Sequence, residues 1–435
     1  MASRSWILGL GIFLLAGPVT AQSTKPAVTL VDAIERAERA QPRVIQAQGV
    51  VKTADARVRS ARGAYLPDLN VRSSAANLFS GQQRTDQTGQ LVSGTTNSLS
   101  NSVTTSFEVF DGFRRSAESK AAGANRESAL ESLEDARYQQ QLVTTNQFFD
   151  VLAALQLVRV RAASVRRADE QLKVSIARLK AGAAIRSDSL RSLVTLGNAR
   201  IQVINAQTQL TTAEANLGRL VGAEGAVTAI DDSSFYRLAA PLDTVALRVE
   251  ALNRSPQVQS AEAAARSARA AIGVARAGYW PTLTVGGNAS INGSDASPTT
   301  TGLKFSNTRQ ASLTVNWAVF SRFTREQNIV NQRTATDVAE ATAREARRQV
   351  LASLTTRLAE LDAAQVRIGI TQTSLAAGTE DLRVQQERYR IGVATIVDVL
   401  TSQESLTQAE VDGVTARFDY LRAKAQIQAL IGRQL

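Results

Sequence analysis

Apolar and polar residues alternate one by one along four short stretches of the chain: 68–75, 102–109, 282–289 and 310–319. Successive side chains of a β-strand point to opposite faces, so this period predicts four strands, each with an apolar and a polar face. Each stretch is close to the ~10 residues that a membrane-spanning strand needs. The alternation by itself is equally compatible with two soluble hairpins, because membrane-barrel signals are weak in any single strand.

Two neighbouring features favour membrane strands. A long segment rich in Gly, Ser, Thr and Asn joins the two strands of each pair, at 80–98 and at 292–308. Four aromatic residues lie where predicted strands meet predicted helices, as an interfacial belt does; they are Phe110, Trp280, Trp317 and Phe320. We therefore interpret the four stretches as membrane strands.

Long stretches without proline follow each strand pair, since none of the eight prolines falls between 68 and 240 or after 298. Here apolar residues recur every three, four or seven positions, which predicts two helices, 113–181 and 323–391. Each helix is roughly 100 Å long at 1.5 Å per residue, so it must lie beside others along a coiled-coil seam. The seam residues are Leu155, Val158, Ala162, Val165, Leu172, Ile176 and Leu179 in the first helix, and Leu354, Leu361, Ile368, Leu375, Leu382 and Tyr389 in the second.

The chain repeats itself once. Pro42 aligns with Pro256 and Pro67 with Pro281, both 214 positions later. Beyond the strands the offset is 210, as RLKAGAAIRSDSL (178–190) and RYRIGVATIVDVL (388–400) show, so a loop is shorter in the second copy. In both copies a helix ends and a strand begins at one phrase, ARGAYLPDL or ARAGYWPTL, where proline suits the start of a strand.

The opening residues predict export. A positive residue, a short apolar run and small residues at a cleavage site indicate a signal peptide at 1–21, and no cysteine follows it for lipidation. We divide the remaining chain into a first structural repeat at 22–222, an inter-repeat linker at 223–242 and a second repeat at 243–435.

The composition excludes several classes of function. The chain has no cysteine and no histidine, so thiolate and imidazole metal sites and His-dependent nucleophiles are impossible. We predict no enzyme activity, no catalytic residue, no metal and no cofactor. The net charge of +11 is spread among acidic residues along the helices, which is typical of solvated helix faces and not of nucleic-acid binding.

Four strands cannot close a barrel, and open strand edges are not stable in lipid. If the strands cross a membrane, the protein must therefore oligomerise. A dimer would supply eight strands and a trimer twelve.

The duplicated motifs together resemble the TolC family of outer-membrane efflux proteins, the outer-membrane factors, over essentially the whole chain. The matching motifs are the repeat openings TLVDAIERAERAQPRVIQA and DTVALRVEALNRSPQVQSA, the two helix-to-strand phrases, and the strand-to-helix phrase FEVFDGFRR. The phrases RLKAGAAIRSDSL and RYRIGVATIVDVL resemble the turns at the helical tips of the family, and we call them the tip-turn phrases. The second strand-to-helix phrase, AVFSRFTRE, lacks the Asp-Gly of the first.

The resemblance implies a mainly α fold with membrane β-strands. In this fold, four strands per chain complete the twelve-stranded barrel of a homotrimer, above a periplasmic tunnel of coiled-coil helices. It implies an exit duct in the outer membrane of a Gram-negative bacterium, serving tripartite efflux or type I secretion. The implied partners are outer-membrane lipid, a periplasmic adaptor (membrane fusion) protein and an inner-membrane RND or ABC transporter. The alternative is a non-transporting periplasmic coiled-coil scaffold or adaptor. The sequence does not identify the substrate.

The turns at the helical tips contain the candidate functional residues. Gly182 and Gly392 suit a sharp reversal between a long helix and its return helix, and the resemblance implies that the tips dock the adaptor. Asp188 and Asp398 begin the return helices, where a carboxylate suits the positive end of the helix dipole; this structural role alone is sufficient to explain them.

The resemblance adds a gate at these tips. In the family, aspartates narrow the periplasmic entrance and a tyrosine bonds to a neighbouring hairpin. The matching residues are Ser187, Asp188, Tyr389 and Asp398. Two family features are missing, because Ala394 replaces a linking arginine and Thr401 a second aspartate.

Overall fold

The structure is a computed structural model that describes residues 25–79, 84–85, 91–92, 95–236, 243–295 and 303–433. The predicted signal peptide at 1–21 lies outside the described residues, as do the middle parts of both strand-joining segments.

Within the described residues each repeat contributes four helices in the same order. They are α1 (Leu30–Ala40), α2 (Pro42–Gly63), α3 (Arg114–Lys180) and α4 (Arg186–Leu220), then α5 (Thr244–Arg254), α6 (Pro256–Ala277), α7 (Thr324–Arg390) and α8 (Ile396–Ile431). Helices α3 and α7 have 67 residues each, which confirms both predicted long helices to within one residue at either end. Among the helices so described, none is both long and apolar enough to cross a membrane.

The strands, numbered in chain order, are β1 (Ala27–Val28), β2 (Asp68–Phe79), β3 (Arg84–Thr85), β4 (Leu91–Val92), β5 (Thr95–Phe110), β6 (Thr228–Ala229), β7 (Thr282–Asp295) and β8 (Lys304–Asn316). Four of them form one antiparallel sheet in the order β2-β5-β7-β8. Strands β1 and β6 form a short parallel pair, and β3 pairs with β4.

The register of the large sheet confirms the two predicted faces. One row across β5, β7 and β8 places Phe107, Val285 and Leu313 side by side. A row on the opposite face crosses all four strands and consists of polar residues: Asn70, Thr104, Asn288 and Gln310. Over the predicted stretches the sheet therefore has an apolar face and a polar face, whereas beyond them the apolar face also carries Asn101, Asn307 and Arg309.

Three details of the strands differ from the prediction. The strands extend into the segments predicted as loops, because β5 begins at Thr95 and β8 at Lys304. Strand β8 ends at Asn316, although alternation continues to Val319, because its partner β7 begins at Thr282, directly opposite Asn316. Finally, a β-bulge between Glu108 and Phe110 brings Phe110 opposite Leu283, on the apolar face.

An arginine stacked on a tyrosine forms the joint between sheet and helices in each repeat. In the first, buried Arg115 lies 5.1 Å from the Tyr65 ring, and its Nε donates to Asp111 Oδ2 at 3.0 Å. In the second, Arg325 lies 4.8 Å from the Tyr279 ring, and its Nε donates to the Ser321 hydroxyl at 3.0 Å. The tyrosines belong to the duplicated helix-to-strand phrase, so the repeat preserves a stacking platform.

The helices form one layer that is four helices wide. Beside the sheet the order of neighbours is α2-α3-α6-α7, and towards the far end it is α4-α3-α8-α7. Helices α3 and α7 run through both levels. The layer therefore has two unlike lateral edges, α2 with α4 on one side and α7 on the other.

The seam predicted in α7 is largely confirmed. Leu354, Leu361, Leu382 and Tyr389 are buried, whereas Leu375 remains partly exposed. The corresponding apolar positions in α3 are half-buried or exposed, and residues such as Ala168, Gln171 and Ser175 are buried instead. The Ser175 and Ser192 hydroxyls lie 3.0 Å apart, so polar contacts join α3 and α4 there.

The main core surrounds the middle of α3, where both repeats meet. Phe148 and Phe149 of α3 contact Phe235, and Phe149 also contacts Phe418 of α8. Phe235 belongs to the segment 223–242, which we predicted as a linker and which carries β6 and the short helix Ser233–Tyr236.

Candidate functional site at the helical tips

The two tip turns have the same backbone geometry. Gly182 has φ +71° and Gly392 has φ +87°, the left-handed region that favours glycine. In each turn the third residue after the helix donates to a carbonyl in the last helical turn: Ala183 to Arg178 at 2.9 Å and Val393 to Arg388 at 2.8 Å. This hydrogen-bond pattern caps a helix that ends in a left-handed residue and reverses the chain sharply.

Asp398 is bound within its own helix start. Its Oδ2 accepts hydrogen bonds from the backbone N–H and the hydroxyl of Thr395, both at 2.8 Å, while its own N–H donates to the Thr395 hydroxyl at 3.3 Å. These bonds form a capping box at the start of α8. The backbone N–H and the hydroxyl of Thr395, helped by Arg388, lower the pKa of the Asp398 carboxyl.

Asp188 occupies the corresponding position at the start of α4 but has a different environment. The residue before that helix is Ile185, whose side chain cannot accept a hydrogen bond. Asp188 is half-buried and Ser187 is exposed. Within the described part of the chain, the Asp188 carboxylate has neither a hydrogen-bond donor nor an ion-pair partner, so it remains available to an outside group.

Tyr389 lies in a small core at the tip. Only 3% of its surface is exposed, and it packs with Leu382, Ile396 and Val399. The guanidinium of Arg178 covers its ring at 4.4 Å from the centroid. Its hydroxyl is buried and finds no hydrogen-bond partner among the residues described.

The structure of the single chain thus brings Tyr389 to Arg178, and no hydrogen bond joins the predicted gate residues across the two described tips. Arg178 was not among the sequence candidates. The signal was present, because Arg178 aligns with Arg388 in the duplicated tip phrase. Nothing in the sequence, however, indicated that Arg178 reaches the other repeat.

A second arginine of α3 links the two hairpins above the tip. Arg167 forms a two-pronged ion pair with Glu410 of α8, at 3.0 and 2.6 Å, and donates to Thr407 at 3.1 Å. Beside this link, an open groove of about 1020 Å³ separates α4 from α8. Leu190 and Val194 line one wall, and Val397 and Leu400 line the other.

Comparison with known proteins agrees with this architecture. The sequence profile of the family described as outer membrane efflux protein matches residues 33–223 and 247–433. The pyoverdine export outer membrane protein OpmQ of Pseudomonas aeruginosa is 25% identical over 394 residues, 88% of this chain and 80% of OpmQ. Protein CyaE of Bordetella pertussis is 25% identical over 411 residues, 92% of this chain and 82% of CyaE.

Solved structures share the fold at low sequence identity. The outer-membrane channel CmeC of Campylobacter jejuni superposes with a TM-score of 0.76 at 14% identity, over 99% of this chain and 94% of CmeC. The outer membrane protein VceC of Vibrio cholerae gives a TM-score of 0.73 at 17% identity, over 93% of this chain and 96% of VceC.

Proposed function

The chain belongs to the outer membrane efflux protein family, and from that membership we propose that three copies of it close one barrel above one tunnel. It is an exit duct in the outer membrane of a Gram-negative bacterium, serves a tripartite export system, and is not an enzyme. The trimer, the residues of the gate and the docking surface belong to the proposal.

The observation that supports closure into a ring is the pair of unlike, unpaired edges of the sheet; the number of three copies follows from the family. Strand β2 forms one edge and β8 the other, and their outer backbone groups have no strand partner among the described residues. Exposed edges are not tolerated in lipid, so β8 of one copy must pair with β2 of the next. Contacts between unlike surfaces generate rings, and three copies of four strands give twelve.

The helical layer supports the same arrangement. On the edge helix α4, Leu193 and Ile204 are exposed outside the groove and lie eleven residues, or three helical turns, apart. On the opposite edge, α7 exposes Val366, Ile370 and Val384, separated by four or fourteen residues. These are coiled-coil spacings, so the stripe on α4 suits the stripe on α7 of the next copy.

We place the gate at the tips of this tunnel, formed by Ser187, Asp188, Tyr389 and Asp398. The free carboxylate of Asp188 and the unpartnered hydroxyl of Tyr389 are suited to a link between hairpins in the trimer. Three copies of Asp398 would form an acidic ring that favours cations.

The turns at Gly182 and Gly392, with the groove between α4 and α8, form the proposed docking surface for the helical hairpin of a periplasmic adaptor. The adaptor connects the duct to an RND or ABC transporter of the inner membrane. Selection of the cargo belongs to that transporter and adaptor.

The trimer is tested by placing a charge on its proposed helical edge. Ile204→Glu puts a carboxylate on the stripe of α4, where Ile204 is 60% exposed in the single chain. Gln202→Glu adds the same charge on the groove side of the same helix. We expect Ile204→Glu to reduce the heat-modifiable band near three chain masses on an unheated gel, and Gln202→Glu to preserve it. An unchanged trimer in both variants would contradict the proposed edge.

A further inference from the structure

One contact joins the ends of the two helical hairpins within a single chain. Arg178 lies in the last turn of α3, in the first repeat, and Tyr389 in the last turn of α7, in the second. The Arg178 guanidinium stacks on the Tyr389 ring at 4.4 Å, and its Nη2 donates to the Ala183 carbonyl in its own turn at 3.1 Å. The same Nη2 would lie 3.7 Å from a Cβ on Gly392. A single guanidinium therefore touches both tip turns.

The stacking is the main interaction available to this guanidinium beyond its own turn. Arg178 makes no ion pair with any described residue, and its Nη1 is buried without a hydrogen-bond partner. A cation over an aromatic ring is attracted by the negative face of the ring, more strongly when water is excluded. The contact with Tyr389 therefore depends on the ring and not on the hydroxyl.

The repeat does not supply this contact twice. The residue that corresponds to Tyr389 is Leu179, and the residue that corresponds to Arg178 is Arg388. Arg388 acts on Asp398 in its own hairpin, where it helps to lower the pKa of that carboxyl. The arginine of one hairpin and the tyrosine of the other thus form a complementary pair.

The two inter-hairpin arginines of α3 lie on one side of the helix. Arg167 and Arg178 are eleven residues apart, three turns, or ~16 Å along the axis. Arg167 is fixed to Glu410 by a two-pronged ion pair, whereas Arg178 holds the end of the second hairpin through stacking alone. The ion pair of Arg167 is therefore suited to hold the two hairpins together permanently. The stacking of Arg178 is suited to a contact that can be released.

We propose that Arg178 is a positioning residue of the gate: by stacking on Tyr389 it clasps the two hairpin tips of each chain together and favours the closed duct. This clasp rests on the proposed gate at the tips, but it is independent of the hydroxyl link from Tyr389 to Ser187 or Asp188. Tyr389→Phe removes the hydroxyl and retains the ring, whereas Tyr389→Leu removes the ring. The two variants therefore separate the two interactions.

The experiment measures open probability and single-channel conductance of the full-length trimer in planar bilayers. The variants are Arg178→Gln alone, in the Tyr389→Phe background and in the Tyr389→Leu background. Lys180→Gln is the matched control, since it removes the same charge two residues away on an exposed part of α3. We expect Arg178→Gln to shift the closed-to-open ratio by roughly 5- to 30-fold per clasp, and Lys180→Gln to leave it unchanged.

The double variants decide whether Arg178 acts through the ring. The effect of Arg178→Gln should persist with Phe at 389 and disappear with Leu, and the amount of heat-modifiable trimer should stay at the level of the unsubstituted protein in Arg178→Gln. An equal effect in both backgrounds, or an effect no larger than that of Lys180→Gln, overturns the clasp. Tyr389→Phe alone tests the hydroxyl link. Absence of channels from the unsubstituted protein would instead refute the proposed duct, and the clasp with it.

Discussion

Substitution of one residue on each face of β8 tests which face of the sheet meets lipid. Leu313 is 68% exposed in the single chain and lies on the apolar face opposite Val285; its neighbour Thr314 lies on the polar face opposite Thr284. Leu313→Arg and Thr314→Arg introduce the same side chain at almost the same height. The first should obstruct assembly in the membrane, and the second should place its charge in the water-filled lumen.

The depth of Leu313 sets the size of the effect. It lies three residues from the end of β8 at Asn316, which at ~3.3 Å per residue and a strand tilt of ~40° is ~8 Å into an apolar band ~25 Å tall. An arginine on the lipid face costs ~2–4 kcal/mol at the midplane and ~0–1 kcal/mol at the interface, so about 2 kcal/mol is expected here. Three copies in the trimer sum to about 6 kcal/mol, or ~10⁴-fold in the assembly equilibrium.

The assay is the fraction of heat-modifiable trimer in the outer-membrane fraction, measured for both variants at equal expression. We expect the trimer to be nearly absent for Leu313→Arg and close to the level of the unsubstituted protein for Thr314→Arg. Equal fractions, or a larger loss for Thr314→Arg, would refute the assignment of the apolar face to lipid.

Three further outcomes follow from the tip and the joint. Gly182→Val should cost roughly 1–3 kcal/mol, because a β-branched residue is strained at φ +71°, whereas Gly182→Asn should cost less; reduced export with an unchanged trimer would be the readout. The Asp398 carboxyl has a pKa below its ordinary value of 3.8, so it stays ionised between pH 7 and pH 5, and its contribution to stability is lost only as the pH falls through that lower pKa. Cation selectivity, measured as a reversal potential, should therefore be unchanged over that range, and Asp398→Asn should lower it throughout. Asp111→Ala leaves the buried Arg115 guanidinium without its carboxylate, so the trimer should lose about 3–5 kcal/mol in urea unfolding.

Elements with a regular period could be predicted from the sequence. Alternation defined the faces of the sheet, and the absence of proline together with the seven-residue spacing defined α3 and α7. The bulge at Glu108 and Phe110 was not predictable in this way, because both Val109 and Phe110 are apolar and either could face lipid. The end of β8 depends on where its partner begins, which is information that a single strand does not contain.

The tip residues illustrate the same limit. The cap of Asp398 is a local pattern, a threonine three residues before an aspartate, and it was accessible from the sequence. The contact between Arg178 and Tyr389 joins residues that are more than two hundred positions apart. No period or motif reports such a contact, because it depends on how α3 and α7 are placed around α8 and the tip core. The alignment of the two repeats identified Arg178 and Tyr389 as parts of the tips, but it did not indicate that they contact each other.

The proposed gate lies where the two repeats differ from each other. Both repeats build the same backbone, with long helices of equal length and a glycine of positive φ at each tip. They diverge where one tip carries Tyr389 and the other Leu179, and where one return helix begins with a capped aspartate and the other with a free one. Six identical hairpins in a ring would offer each neighbour only like surfaces at the tip. Two alternating kinds can place a cation against a ring, as Arg178 and Tyr389 do within one chain. For the proposed gate, divergence of the two repeats at these few positions therefore supplies the unlike tip surfaces that would hold the end of the duct closed.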